Sequence, residues 1–285
     1  MRTGVTCVVP ARLGSTRFLG KLLEPIFGKP VVVHTLERAA AAHCFDRVIC
    51  ATESPEIGAA AEAAGFDWVL TGEARNGTER IALALTLDLP ALRDAGLIVN
   101  LQGDEPAFPA EGLRALCEAL QREPANVHLL LHPDAPSPEE IANPNRVKVV
   151  VDVERFVTEF TRMPAPSATL QLPRLQMGAY GYHRDYLAAY AALPPSAAEL
   201  ELSHEMLRAP GLAPIRAHLS PVKATGASVD VPDDLIAARE AVHALENMES
   251  RLNKSLNNSL NNGLNIRPNI RISTELQPSL QGAPA

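Results

Sequence analysis

Aromatic residues are scarce, at 4% of the chain, so the base-stacking platforms that hold single-stranded nucleic acid are not suggested. The net charge of -7 disfavours a surface built for polyanions and leaves room only for a local basic loop. Cysteine is scarce too. Cys7, Cys44, Cys50 and Cys117 form no CxxC pair and read as buried, reduced thiols of a cytoplasmic protein rather than a disulfide framework. The absence of HExxH and of any clustered Cys/His set argues against zinc. His34, His43, His132, His183, His204, His218 and His243 are scattered and read as surface or core residues. No GxSxG elbow supports serine hydrolysis. No apolar run approaches the roughly 18 residues of a membrane helix. Pro10 and Arg12 break the N-terminal apolar run, against a secretory signal.

What is present is ample apolar material, 46% of 285 residues, enough for one or two domains with a sizeable core. "GVTCVVP" reads as a buried strand: short, β-branched and closed by proline. "KPVVVHTLERAAAAHC" reads as a helix starting near Pro30, with Val33, Leu36, Glu37 and Ala40 at helical spacing. "DRVICAT" and "DWVLT" read as strands flanking the helix "SPEIGAAAEAAG", which has Ser54 as N-cap, Pro55 in its first turn and Gly65 as its stop. "NGTERIALALTLDL" opens another helix and "GLIVNLQGDEP" a fourth strand. This alternation predicts an α/β fold with a mostly parallel, Rossmann-like sheet covered on both faces.

From about residue 127 the pattern changes. "VHLLLH", "RVKVVVD" and "RFVTEFTRMP" read as strands joined by turns, a smaller mixed or antiparallel insertion. "DVPDDLIAAREAVHALENM" reads as a closing helix with Asp230 as its candidate N-cap. The division this predicts is a core of residues 1–126 and 221–247, a subregion of 127–220, and a low-complexity tail of 248–285 without stable order, where "SLNN" repeats.

Three polar clusters follow predicted strands, where ligands bind in open α/β sheets. In "ARLGSTRFLGK", Arg12, Arg17 and Lys21 can neutralise a polyphosphate, while Gly14 and Gly20 give the backbone freedom to approach. The loop is neither a Walker A nor a GxGxxG motif, and by itself it is also readable as a solvated basic loop. In "NLQGDEP", Asp104 can hold Mg²⁺ or simply turn the chain, with Glu105 as its competitor. In "NGTER", Gly77 and Arg80 open a helix, a suitable seat for an anion or ribose, or else Thr78 caps it. Asp230 is open to two readings, second metal carboxylate or helix cap.

Taken in order, "VVPARLGSTRF", "GKPVVVHTLERA", "VICATES", "NGTERIA", "VNLQGDEP", "NPNRVKVV", "FTRMPAP", "MGAYGY" and "VDVPDDL" resemble the 3-deoxy-manno-octulosonate (Kdo) cytidylyltransferase family across residues 4–242. The resemblance implies a nucleotide-diphospho-sugar transferase type of fold and transfer of CMP from CTP to the anomeric hydroxyl of a 2-ulosonic acid, with release of pyrophosphate. It implies that Arg12 and Lys21 hold the triphosphate, and that Ala11, Ser15, Gly77 and Arg80 line the nucleotide pocket. It implies Asp104 and Asp230 as Mg²⁺ ligands, Arg162 facing the sugar carboxylate, and Gln102, Tyr180 and Glu205 in the sugar site. It implies a cytoplasmic homodimer whose subregion 127–220 takes the acceptor and carries the dimer contact. The chain departs from the family at Leu19 and Leu22, where the family has proline. Gln176 stands for a sugar-facing histidine, and Met206 for a polar sugar-facing residue. Two other readings accompany this one: transfer to a different acid sugar, and a silent nucleotide-binding paralogue.

Overall fold

The computed structural model describes residues 4–15, 17–87, 89–163, 173–209, 211–223 and 228–261. In chain order the strands are β1 (Val5–Ala11), β2 (Pro25–Ile26), β3 (Lys29–Pro30), β4 (Arg47–Thr52), β5 (Asp67–Leu70), β6 (Leu97–Leu101), β7 (Val127–Leu131), β8 (Lys148–Val151), β9 (Val157–Thr161), β10 (Arg174–His183) and β11 (Ile215–Leu219). The helices are α1 (Val31–Ala41), α2 (Pro55–Ala63), α3 (Gly77–Thr86), α4 (Pro90–Arg93), α5 (Ala110–Arg122), α6 (Pro138–Ala142), α7 (Arg184–Ala191), α8 (Ala197–Leu202) and α9 (Asp234–Asn261). Single 3₁₀ turns cover Lys21–Leu23 and Glu205–Leu207. The chain divides into two units, 1–244 and 245–285, and the packing below concerns the first.

The main sheet runs β11-β7-β10-β6-β1-β4-β5, and β10 alone runs against the others. β1 sits inside it, between β6 and β4, with all seven residues buried, as expected of a continuous apolar run paired on both edges. α1, α2 and α5 pack with one another over one set of strands, while α3 and α7 pack together over β1, β6 and β10. The β-branched run of β1 thus divides its side chains between two helical layers. Val8 joins Ile49, Ile81, Ile98 and Tyr182 in one buried cluster. Among the described residues no helix is long and apolar enough to cross a membrane.

Local signals produce the helices much as read. Ser54 Oγ accepts the Ile57 N–H, Pro55 is the first helical residue, and Gly65 stops the helix at φ +85°. Asn76 rather than Thr78 caps α3, its side chain accepting the Glu79 N–H.

Three expectations are corrected. First, the mixed or antiparallel insertion expected over residues 127–220 is present but covers less of that stretch. β7, β10 and β11 continue the main sheet, and only β8 and β9 branch from β10 as a small antiparallel ribbon. All five residues of β7 are buried, which marks a central strand. Second, Asp230 does not cap the closing helix. Asp234 Oδ2 accepts the N–H groups of Asp230 and Val231, which frees the Asp230 carboxylate. Third, that helix continues to Asn261, past the predicted boundary at 247; residues 262–285 of the predicted tail lie outside the described residues. The four thiols are free, with Cys44 and Cys117 Sγ atoms 3.2 Å apart.

Candidate active site

The loops after β1 and β6, the start of α3, and the acceptor-side strands enclose one cavity of about 780 Å³. The thirteen residues expected to bind nucleotide, metal or acceptor line it: Ala11, Arg12, Ser15, Lys21, Gly77, Arg80, Gln102, Asp104, Arg162, Gln176, Tyr180, Glu205 and Asp230. Ala11, Arg12, Ser15, Lys21, Gln102 and Asp104 converge because β1 and β6 are parallel neighbours and end on the same side; α3, β9, β10, the Glu205–Leu207 turn and the segment before α9 bring the others.

Lys21 is the hub of the charged cluster after β1 and β6. Gly20, at φ +71°, starts the 3₁₀ turn that carries it, a conformation that favours glycine. The buried ammonium donates to Asp104 Oδ2 at 2.5 Å, to the Val229 carbonyl at 2.6 Å and to Asp230 Oδ1 at 3.3 Å. Burial pulls the Lys21 pKa down, but the two carboxylates outweigh it and the net shift is upward. Arg17 adds a second cation, reaching Asp230 Oδ1 at 2.7 Å and Asn145 Oδ1 at 2.8 Å. Arg12 is exposed at the rim. Gly103, rather than Gly14, makes the close approach: a Cβ there would lie 2.9 Å from the Pro10 carbonyl oxygen. Of the two departures from proline, Leu19 is exposed and Leu22 is buried beneath Gly103, so packing holds the second in place.

Arg80 is buried in the first turn of α3. It pairs with Glu53 at 2.6 Å and donates to Thr71 Oγ1 at 2.6 Å, while burial lowers its pKa against the pull of Glu53. The helix start proposed for an anion is taken by the chain's own carboxylate: the Thr78 N–H donates to Glu205 Oε2 at 3.1 Å. Gln102 Nε2 approaches Glu205 Oε1 at 3.4 Å. Burial raises the Glu205 pKa, partly offset by those helix-start hydrogen bonds.

On the acceptor side, the register of β10 shifts between Gln176 and Tyr180, a bulge that re-aims the side chains of this stretch. Gln176 Nε2 donates to the Tyr180 hydroxyl, and burial pushes the tyrosine pKa well up. Arg162 is already engaged. It donates to the carbonyls of Leu202, Pro144, Asn145 and Ser203, so one of its five N–H groups remains for a ligand and a two-pronged grip on a carboxylate does not fit. Lys148, fully buried, donates to the carbonyls of Asn143, Arg146 and Arg162 and fixes the same wall. Met206 corrects the reading that placed it toward the sugar: it is fully buried in the apolar cluster, because the 3₁₀ turn that points Glu205 into the cavity turns Met206 away.

The sequence reading missed several cavity-lining residues, among them Asn76, Arg75, Arg146, Glu199 and His204. Asn76 had a signal, an Asn-Gly pair before a helical run. The others had none, since nothing local distinguishes them from surface polar residues.

The chain matches the model of a family described as cytidylyltransferase over residues 6–213. It belongs to the cytidylyltransferase family. It is 36% identical over 244 residues to a 3-deoxy-manno-octulosonate cytidylyltransferase of Anaeromyxobacter sp. (strain Fw109-5), covering 84% of this chain and 97% of that protein. A protein of the same name from Syntrophobacter fumaroxidans is 38% identical over 250 residues, covering 83% and 98%. A solved structure described as CMP:2-keto-3-deoxy-manno-octonic acid synthetase complexed with CTP superposes with a TM-score of 0.74 at 35% identity, covering 85% of this chain and 99% of that one. The 4-diphosphocytidyl-2C-methyl-D-erythritol synthase of Anaerococcus prevotii shares the fold, with a TM-score of 0.53 at 12% identity. The cytidylyltransferase fold thus accounts for the seven-stranded main sheet and for a cavity beyond the ends of β1 and β6.

Proposed function

We propose that this protein transfers CMP from CTP to the anomeric hydroxyl of a 2-ulosonic acid, Kdo being the first choice, and releases pyrophosphate. The hydroxyl oxygen forms a bond to the α-phosphorus, the bond from that phosphorus to the bridging oxygen breaks, pyrophosphate leaves and the hydroxyl proton is lost. Positioning and charge neutralisation carry such a transfer. The observation that carries the reading is the Lys21–Asp104–Asp230 cluster: a buried ammonium from the segment after β1, held between the carboxylate of Asp104 after β6 and that of Asp230 before α9, in the same cavity as Arg12, Ser15 and Arg80. The named relatives and the CTP-bound neighbour support it.

Asp104 and Asp230 are hard oxygen donors, and among the described residues no group of three or more protein ligands could hold a metal alone. That set fits Mg²⁺, which takes one or two carboxylates together with phosphate oxygens and water. Bound by these residues, Mg²⁺ would neutralise triphosphate charge and lower the pKa of a coordinated hydroxyl. Lys21 and Arg12 face the triphosphate in this reading, Ala11, Ser15, Gly77 and Arg80 the nucleoside, and Gln102, Arg162, Gln176, Tyr180 and Glu205 the acceptor. A cytoplasmic homodimer goes with it, and light scattering on the purified protein tests the assembly.

The test is pyrophosphate release from CTP and Mg²⁺ with a panel of sugar acids. Activity with Kdo supports the reading, and activity only with another acid transfers it to that acceptor. CTP binding with silence across the panel returns the chain to a non-catalytic role. Asp104→Asn abolishes release while the protein stays folded; full activity in that variant removes the metal assignment.

A further inference from the structure

Two polar atoms of the cavity-lining residues are buried without a hydrogen-bond partner among the described residues: Nε2 of His204 and Oε1 of Gln176. Leaving such an atom unpaired costs roughly 1–3 kcal/mol, and native structures keep few of them. Both residues border the cavity, so a ligand seated there can supply the missing partners once the side chains turn toward it.

His204 is held for presentation rather than for packing alone. It is 5% exposed, with its ring tilted against Phe160 at 4.4 Å and its backbone N–H on the Glu199 carbonyl at 3.2 Å. Ser203, just before it, has φ +47°, a left-handed conformation that costs a residue with a side chain about 1–2 kcal/mol. This conformation ends α8, whose C-cap is Ser203. Arg162 grips the same segment through the carbonyls of Leu202 at 2.7 Å and Ser203 at 3.3 Å. The cation that the family resemblance assigns to the sugar carboxylate therefore holds the segment that aims both His204 and Glu205.

We propose that His204 is a specificity-determining contact to the acceptor, its Nε2 and the Gln176 Oε1 together meeting hydroxyl groups of the sugar acid. The inference rests on the transfer reading above. The chemistry names hydroxyls rather than the carboxylate. Gln176 Nε2 is engaged by Tyr180, so the free oxygen only accepts a hydrogen bond. The imidazole is neutral, since burial and then the nearby Arg162 push its pKa down to about 3. A neutral ring offers a carboxylate no charge, whereas a hydroxyl can meet it as donor or acceptor. The histidine that the family places at 176 is absent from this chain, and an imidazole reaches the same cavity from 204 instead.

The test compares wild type, His204→Leu and His204→Gln. KM for Kdo and for CTP is read from pyrophosphate release. Affinity for Kdo is read by calorimetry in the presence of α,β-methylene-CTP, which cannot release pyrophosphate. His204→Leu raises both the KM and the Kd for Kdo by about 10- to 100-fold, leaves the KM for CTP unchanged and leaves the unfolding temperature unchanged or higher, because it removes an orphaned polar atom. His204→Gln, which restores a polar group near the same position, recovers much of the affinity. A Kdo affinity within twofold of wild type in His204→Leu overturns the proposal, as does an equal rise in both KM values. If wild type binds Kdo without turnover, the transfer reading fails and the calorimetric comparison still decides His204. If wild type neither binds nor transforms Kdo, both are overturned.

Discussion

Replacing Lys21 with methionine isolates the charge cluster on which the functional reading depends. Methionine keeps most of the length and removes the ammonium from between Asp104, at 2.5 Å, and Asp230, at 3.3 Å. Breaking a buried ion pair costs roughly 3–5 kcal/mol. Two features reduce that here: the Asp104 and Asp230 side chains are 22% and 20% exposed, and Arg17 still pairs with Asp230 at 2.7 Å. The expected loss is about 2–3 kcal/mol, which for a chain of this size lowers the unfolding temperature by about 5–10 °C. The Lys21 pKa is raised above its ordinary 10.5, so its stabilisation is full below that value and is lost only as pH rises through the folded-state pKa. The difference between wild type and variant therefore persists across neutral pH. The assay is thermal unfolding by circular dichroism in EDTA and in millimolar Mg²⁺. In EDTA the variant melts lower. Mg²⁺ returns most of the loss, because the carboxylates no longer share an ammonium, while wild type shifts little. An unchanged variant in EDTA would refute the cluster's energetic role. A destabilised variant indifferent to Mg²⁺ would refute the pairing of Asp104 with Asp230 around a divalent cation.

Gly103→Ala places a Cβ 2.9 Å from the Pro10 carbonyl oxygen, a backbone atom that cannot swing aside, so the variant loses about 1–3 kcal/mol and activity falls with it; denaturant unfolding checks this. Arg208 is buried, bound through two nitrogens to Glu199 at 2.8 Å each, tied to Glu79 at 2.9 Å and stacked 4.5 Å over Tyr190. Arg208→Leu costs about 3–5 kcal/mol by stranding Glu199, and Arg208→Lys recovers only part, because one ammonium cannot take both carboxylate oxygens as the guanidinium fork does. Depressed histidine pKa values make stability fall in mild acid. His204 titrates near 3 in the fold and ordinarily near 6.5, so its contribution is present above 6.5 and declines by up to about 1.4 kcal/mol per pH unit below it. Urea midpoints from pH 7 to 5 show a shallower slope in His204→Leu; equal slopes refute the burial of a neutral ring.

The sequence by itself determined what is decided within about ten residues. The run "GVTCVVP" can only bury itself as a central strand. Ser54 with Pro55 starts a helix because the serine oxygen and the ring suit its first turn, and Gly65 ends it because only glycine takes φ +85° without strain. With β1 and β6 parallel, the polar loops that follow them had to meet, which is why Arg12, Ser15, Lys21, Gln102 and Asp104 share one cavity. Tertiary structure decided the rest. That β7, β10 and β11 extend the main sheet depends on pairings such as Val127 with Ile215, which no local pattern encodes. That Asp230 faces Lys21, 209 positions away, rather than capping a helix depends on contacts no local pattern encodes, with Asp234 accepting the Asp230 N–H behind it. That Met206 enters the core while His204 and Glu205 border the cavity followed from one 3₁₀ turn and one strained serine. Strand pairing and side-chain direction are set by contacts between distant residues, and those exist only once the chain has closed on itself.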